Sequence, residues 1–535
     1  MTSNNNSDDA SVESSDSSGP YEPCDIDEEA LEYIKANDPD WEAFHFACNV
    51  DGNPNYRFDP LSIDWEKEGF AISRSSHMKL LEIRDVQQET DEHYFYCKRN
   101  KEERVRNAKA FYKAVAANRS IKYLNIEGNI TYGLEMKDTV AILRPFVQSN
   151  NKLRSLQLGH FTMDVRTAQI LASALSNCAG SLRTFGLKRC DGLTGRAMEK
   201  IINAMKVDSS ITELRFDEIQ IDDDVGVVLG NALTTLSLKH LSLRGGPFEM
   251  SFGSISEAGM EAICQGISQN STLETLEFCR FPIGVGGGLS LAAAISNNSA
   301  LALKKLNLNY AVHCAQFAPS PEGWAIFFDF LSNSPLQNLQ LAGNNISDDV
   351  IPSMVECLNS MTSLTELCLR QCSDITAAGC SDFFRLLQNN VSLRKCEMFG
   401  TPISNVGVIE AMSSTLCDGT SVESIFSSNH TLSSIEASVL EPFFSMDPDI
   451  KLLLKMNEND DKVEVARQKI IKYYFLQQNN LHELGRMDLG LLPRVLGYVD
   501  KYEPRRLYEI VRAIPSLVHD NEDTIGTKRK RKRRA

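Results

Sequence analysis

Four stretches of this chain hold residues whose types and spacing could do chemistry. Gly284-Val285-Gly286-Gly287-Gly288 suggests a turn that cradles a dinucleotide pyrophosphate, but Leu289 stands where the last glycine of that spacing is required. His482-Glu483 opens like a helical zinc pair, yet Arg486 replaces the second histidine. Asp222-Asp223-Asp224 could attract a cation, although a capped helix start explains three short acids more simply. The fourth stretch is Lys528-Arg529-Lys530-Arg531-Lys532-Arg533-Arg534, a dense cationic run of the kind read by import receptors or used to clamp nucleic acid. No G-x-x-x-x-G-K-S/T phosphate loop and no G-x-S-x-G nucleophile turn occurs. With no catalytic, cofactor-binding or metal-ligating set in view, the sequence predicts a protein that is not an enzyme and needs no cofactor.

What could position binding residues is an apolar cadence, L-x-x-L-x-L, returning about every thirty residues. It reads Leu153-Leu156-Leu158, Leu182-Phe185-Leu187, Ile211-Leu214-Phe216, Leu238-Leu241-Leu243, Leu273-Leu276-Phe278, Leu303-Leu306-Leu308, Leu336-Leu339-Leu341 and Leu364-Leu367-Leu369. Ile121-Leu124-Ile126 precedes these, and Leu393-Cys396-Met398 and Val422-Ile425 follow, for eleven copies in all. Between copies apolar residues recur at three and four, as in Met260, Ile263, Cys264 and Ile267 or in Ala168, Leu171, Ala174 and Leu175. Each unit therefore reads as a strand followed by a helix. Ile221-Asp222-Asp223-Asp224, Ile346-Ser347-Asp348-Asp349 and Ile375-Thr376 supply helix starts, and Asn297-Asn298 and Asn389-Asn390 supply exits. One unit cannot bury its apolar face alone. The expected fold is an α/β solenoid with a curved parallel β-sheet inside and helices outside.

The step, the strand signature and the long helical half resemble leucine-rich repeats of the ribonuclease-inhibitor type over residues 121–432. That resemblance implies a scaffold for binding, since the fold hosts inhibitors, receptors and regulatory subunits. The family's ninth repeat position favours Asn or Cys. Asn129, Asn344, Cys190 and Cys372 match, whereas Phe161, Ile219, Gly246, Phe281, Ala311 and Thr401 do not, so apolar packing is expected to replace part of that hydrogen-bonded edge.

Charge and composition bound the partners. The 55 basic and 71 acidic residues give a net charge of −16, and the body without its basic tail is more acidic still, which disfavours nonspecific nucleic-acid binding except through the tail. No stretch reaches the roughly 18 apolar residues needed to cross a bilayer, and Met1-Thr2-Ser3-Asn4-Asn5-Asn6 is no signal peptide. The fourteen cysteines form no C-x-x-C pair, and Cys190, Cys264, Cys368 and Cys372 occupy packing positions. The sequons Asn270-Ser-Thr, Asn390-Val-Ser and Asn429-His-Thr are read as helix ends.

Outside the repeats, residues 1–40 are acidic and expected to be disordered. Residues 41–120, with Trp41, Phe44, Phe46, Trp65 and Phe70 and a degenerate copy at Met78-Leu81-Ile83-Val86, read as an N-terminal cap. Residues 433–520 read as a helical C-terminal cap with an amphipathic stretch through Val463, Ala466, Ile470, Tyr473 and Tyr474, and 521–535 as a disordered basic tail. Within 489–517, Leu492-Pro493 followed by Val495, Leu496, Val499, Leu507 and Val511 resembles an F-box, the adaptor module of some ubiquitin-ligase receptors. It follows the repeats rather than preceding them and lacks the late tryptophan. Activators of the Ran GTPase share this repeat length, but they end acidic where this chain ends basic.

Alternation along a strand turns the third, fifth, seventh and eighth repeat positions away from the core. They hold His160, Lys188, Arg189, Arg215, His240, Arg244, Arg280, Lys305, Tyr310, Arg370 and Phe399 among Glu127, Glu213, Asp217, Glu218, Glu277 and Glu366. The expectation is a nuclear protein, or else a cytoplasmic one, that grips a protein partner on its concave face. Lys188, Arg189, Arg215, Arg244, Arg280, Tyr310 and Arg370 would make the contacts, which suits an acidic partner, and an import receptor would take Lys528 to Arg534. Surface arginines paired with neighbouring carboxylates are the competing expectation for the same face.

Overall fold

The structure is a computed structural model that describes residues 43–47, 65–84, 106, 109–110, 113, 117–127, 152–159, 163–176, 180–206, 210–246, 255–311, 320–436, 447–477, 496–497, 499–500 and 504–513. The acidic segment 1–40, His160, most of the F-box-like stretch and the basic tail lie outside the described residues. The chain divides into two compact units, Met1–Leu193 with Lys200–Ile211, and Thr194–Glu199 with Thr212–Ala535.

The first unit contains β1 (Ala43–Ala47), α1 (Trp65–Arg74), β2 (Leu80–Arg84), β3 (Tyr123–Glu127), β4 (Ser155–Gly159), α2 (Val165–Leu175) and β5 (Thr184–Lys188). Its strands pair in parallel and in chain order, with Phe44, Leu81, Leu124, Leu156 and Phe185 in register. The strand ladder thus begins inside the region read as a cap, and the degenerate copy Met78-Leu81 supplies buried residues to it. Phe70 departs from expectation: it is 57% exposed, with the Arg74 guanidinium 5.2 Å from its ring centroid. Residues of α3 (Gly195–Lys206) belong to both units.

The second unit alternates strand and helix: β6 (Glu213–Asp217), α4 (Asp223–Thr235), β7 (His240–Arg244), α5 (Glu257–Ser268), β8 (Thr275–Cys279), α6 (Gly284–Asn297), β9 (Lys305–Asn307) and α7 (Pro321–Leu331). It continues with β10 (Asn338–Gln340), α8 (Ile351–Ser360), β11 (Glu366–Cys368), α9 (Ala377–Leu386), β12 (Lys395–Glu397), α10 (Val406–Leu416), α11 (Val422–Phe426) and β13 (Ser434–Glu436). After it come α12 (Pro448–Asn457), α13 (Lys462–Lys469), a π-helix (Ile470–Gln477) and α14 (Pro504–Ala513). The strands β6 to β13 again pair in parallel and in chain order. Their register stacks Leu214, Leu241, Leu276, Leu306, Leu339, Leu367, Cys396 and Ile435, all buried, into one column. Each such leucine withdrawn from water contributes about 1.5 to 3 kcal/mol, and each helix closes the column from behind, as α5 does with Met260, Ile263, Cys264 and Ile267.

A second column is polar. Asn429 lies 2% exposed; its Nδ2 donates to the carbonyls of Leu387 and Asn390 in the unit before, and its Oδ1 accepts from the amides of Thr431 and Leu432 in its own. Asn390 repeats the pattern with Leu358, Ser392 and Leu393, Asn270 with Leu233, Thr272 and Leu273, and Asn298 with Ile267, Asn270 and Ala300. Asn457 ends the series by donating to the carbonyls of Asn429 and Leu432. In the first unit Asn118 does the same work between Ile72, Ser75, Ser120 and Ile121. The turn from helix to strand leaves buried backbone groups without partners, and one amide side chain satisfies up to four of them.

Several sequence expectations are corrected. Val422-Ile425 is no strand but α11, because Ser421 Oγ accepts from the Ser424 amide and starts a helix; the last strand among the described residues is β13, which follows Leu432 and contains Ile435. Gly286, Gly287 and Gly288 lie within α6 rather than in a turn. Asp222 and Thr376 cap their helices, but Ser347 does not, and a 3₁₀ turn over Asp348–Val350 intervenes. Val463 is half exposed, because the buried face of α13 runs through Val465, Ala466 and Lys469 instead. Among the described residues no helix is long and apolar enough to cross a membrane.

Replacing Asn429 by Ala removes two donors and two acceptors from buried backbone partners, so chemical denaturation is expected to show a loss of about 2 to 4 kcal/mol. A loss below about 1 kcal/mol would contradict the bridging role.

Candidate partner-binding face

Along every strand of the second unit the third, fifth and seventh repeat positions turn away from the leucine column. The eighth ends the strand in a tight bend. Its backbone is left-handed at Glu218 (φ 56°), Arg280 (φ 53°), Tyr310 (φ 57°), Gly343 (φ 64°), Gln371 (φ 55°) and Gly400 (φ 82°). In the first unit Arg189 (φ 46°) does likewise after Lys188 ends β5; both residues are half-buried. L-residues in that conformation are uncommon and cost free energy that the surrounding ladder must offset. Two glycines are required here by close approach. A Cβ on Gly245 would lie 1.7 Å from the Arg280 carbonyl oxygen, and one on Gly343 would lie 1.9 Å from the Tyr310 ring.

Several of the sequence-predicted cations are joined to their neighbours. Arg244 and Arg370, at seventh positions, are engaged by carboxylates. Glu277 sits between Arg244 Nη2 (2.8 Å) and Lys305 Nζ (2.9 Å), with Ser242 Oγ donating to it at 3.2 Å. Burial alone would raise the Glu277 carboxyl, but the hydrogen bonds from Arg244 and Lys305 outweigh it and hold the group to about 2. Further along, Arg370 Nε lies 2.8 Å from Glu397 and its Nη2 donates to Glu436 at 2.7 Å. Lys395 Nζ reaches the same two carboxylates at 2.7 and 2.8 Å. Hydrogen bonding to Glu397 and Glu436 raises the Lys395 ammonium above its ordinary value, and the Lys395 bond lowers the Glu436 carboxyl. Arg215 pairs with Glu213 on its own strand at 2.6 Å. Arg280 is exposed, and its guanidinium lies 5.7 Å from the Tyr310 ring centroid. Tyr310 in turn lies against Gly343, so cation, ring and glycine stack across three successive units.

The face is therefore a mosaic of joined charges, as the mixed signs of the sequence suggested. Sequence reasoning placed Glu277 on this face and weighed paired arginines, but it did not name Lys395, Glu397 and Glu436, which complete the second cluster. They share the third and fifth positions, and opposite charges recurring there on adjacent strands were the available signal. It also missed the asparagine column, although an Asn three residues before the opening leucine recurs at Asn270, Asn390 and Asn429. These sequon asparagines are all buried within the folded chain.

At the ninth position Asn344 Nδ2 donates to Leu308 and Leu341 carbonyls, Cys372 Sγ lies 3.4 Å from the Leu341 carbonyl, and Cys190 Sγ lies 3.8 Å from that of Leu158. Ile219, Phe281 and Ala311 are buried instead, so apolar packing replaces hydrogen bonding at those three, whereas Thr401 corrects the expectation by donating its hydroxyl to the Met398 carbonyl at 2.8 Å. The nine described free cysteines include Cys264, Cys357, Cys372 and Cys417, whose thiols burial pushes up to about 12. Among the described residues no three metal-ligating side chains come together, and Asp222 is spent on capping α4 through the Val225 amide.

No family model matches the chain. It is similar to the ribonuclease inhibitor of Sus scrofa, 24% identical over 290 residues that cover 53% of this chain and 59% of the inhibitor. The inhibitor of Mus musculus is 25% identical over 263 residues, 48% of this chain and 54% of the relative. The chain thus spans little more than half the length of these curated relatives. Among solved structures, one of the Rad7 and Elc1 complex in yeast overlaps 64% of this chain and 74% of its own at 12% identity and a TM-score of 0.37. The TLR13-ssRNA13 complex overlaps 62% and 40% at 17% identity and a TM-score of 0.32. Overlaps of that quality carry no argument about function.

Glu277→Ala is expected to cost about 1 to 2 kcal/mol at pH 7, because Arg244 and Lys305 keep access to water after their carboxylate is lost. The folded carboxyl sits below its ordinary 4.5, so its contribution is present above pH 4.5 and fades as pH falls through about 2. Urea unfolding at pH 7 and pH 2 checks this. The gap between parent and variant should narrow at the lower pH, and an equal gap refutes the assignment.

Proposed function

Starting from a chain that is a leucine-rich repeat protein of the ribonuclease-inhibitor-like type, we propose that it is a nonenzymatic scaffold binding a protein partner on the strand face of its repeats. The observation that carries this reading is the fixed polar face itself. Eight parallel strands present outward side chains at regular spacing, and the ion pairs around Glu277 and Glu397 hold them in place before any partner arrives. Side chains already ordered lose little entropy on binding, which favours recognition over solvation.

Within that face the contact centre is Arg280 with Tyr310. An arginine stacked on an aromatic ring presents its N–H edge to a carboxylate, and this chemistry fits an acidic partner. Arg215, Arg244 and Arg370 flank it and exchange part of their pairing for the partner, while Lys188 and Arg189 offer further contacts on the first unit. The basic run Lys528 to Arg534 is the import signal of this reading, recognised by an import receptor, and places the protein in the nucleus.

Arg280→Glu should lower recovery of the captured partner from nuclear extract at least about tenfold, while the melting temperature stays close to that of the parent, since exposed charge contacts contribute only about 0 to 1 kcal/mol. Arg385→Glu on α9 is the control. Equal recovery by both variants would move the contact surface off the strand face. For location, a fluorescent fusion lacking residues 528–534 should shift from nucleus to cytoplasm, and an unaltered distribution would remove the import role.

A further inference from the structure

A lysine ending a surface helix ordinarily points to water. Lys469, the last residue of α13, is 0% exposed. Its Nζ donates to the Leu416 carbonyl at 2.6 Å and the Asn429 carbonyl at 2.9 Å, which belong to the end of α10 and to the asparagine column of the last repeat. Among the described residues no carboxylate is in ion-pair contact with it. A neutral amine has two N–H groups, which match these two acceptors; an ammonium adds a third N–H and a buried charge with no carboxylate paired to it.

The groups around it do not help the charged form. Cys417 follows α10 and is buried. His430 follows α11, with Nδ1 buried and without a partner and Nε2 3.1 Å from the Phe426 carbonyl. Lys462, on α13 itself, brings another cation whose Nζ donates to the Asn457 and Asn459 carbonyls at 2.8 Å. Asn457, on α12, already shares the Asn429 carbonyl with Lys469. Immediately beyond Lys469 the backbone takes up the eight-residue π-helix, a winding that is rare and concentrated at functional sites. Its Ile471 and Phe475 form a small core with Val499 and Ile510. Lys469 is thus the polar pin at the junction between the last repeat and a helical segment that has a core of its own.

We propose that Lys469 is a proton-operated latch: neutral, it clamps α13 and the π-helix to the last repeat through the Leu416 and Asn429 carbonyls, and charged, it opens that segment locally. Burial, reinforced by Lys462 and partly offset by Cys417, pushes its ammonium down to about 7 from 10.5. In the open segment the ordinary value returns, so the closed form binds fewer protons between those limits. Closure therefore strengthens as pH rises from 7 toward 10.5, and weakens to a plateau below 7. His430, pushed down to about 4 from 6.5 by burial and by Lys469, acts only at lower pH, so the two groups are separable.

The test is hydrogen exchange of the 462–477 amides in the full chain, corrected for intrinsic rates, with α10 amides as the internal reference. Lowering the pH from 8.5 to 7 should raise the opening equilibrium of 462–477 about tenfold or more. Lys469→Met should flatten that response to within about twofold, and Lys469→Arg should be open already at pH 8.5. A Lys469→Met variant that tracks the parent overturns the latch. Should the variants fail to fold, NMR titration of the labelled Lys469 side chain in the parent decides: a midpoint near 7 coinciding with opening supports the latch, and one near 10 overturns it.

Discussion

The constraint on which the rest depends is the satisfaction of buried backbone groups where each helix turns into the next strand. A leucine column is tolerant of small shifts, since apolar burial has no direction. A buried amide or carbonyl is not, and an unpaired one costs about 1 to 3 kcal/mol. Asn390 and Asn429 answer this by binding their own unit through Oδ1 and the unit before through Nδ2. The spacing between neighbouring units is thereby set to hydrogen-bond precision, and the strand register follows from it.

Register at that precision is what makes the outer face useful. Glu277 reaches Arg244 on one neighbouring strand and Lys305 on the other only because β7, β8 and β9 are aligned residue for residue. The same alignment brings Arg370, Lys395, Glu397 and Glu436 together across β11, β12 and β13. Left-handed turns at Arg280 and Tyr310 then swing one cation and one ring into a stack over Gly343. Core hydrogen bonding, strand register and surface charge pattern are consecutive links of one chain of causes.

At its end the asparagine column meets a different solution. Asn457 closes the series from α12, and Lys469 shares the Asn429 carbonyl. Where the repeats stack, an uncharged amide does the bridging; where they stop, an amine that can gain a charge does it. The terminal junction is therefore the place in the described core where solution conditions reach the backbone network.

The sequence by itself determined the repeat, the inward columns and the strand-then-helix order, because period and alternation are local properties that every copy from Leu153 to Leu369 restates. It also determined which positions face outward, and that their signs are mixed. Tertiary structure alone decided how those signs are joined: Glu277 and Lys305 are 28 residues apart and become neighbours only by stacking. It decided that Val422-Ile425 is a helix, since a capping hydrogen bond at Ser421 overrides an apolar spacing that a strand could share. And it decided that Lys469 is buried, because the end of α10 and the turn at Asn429, 53 and 40 residues away in the chain, close over it. Pattern is written along the chain, whereas charge pairing, capping and burial depend on which distant segment arrives beside a residue, and no single position encodes that.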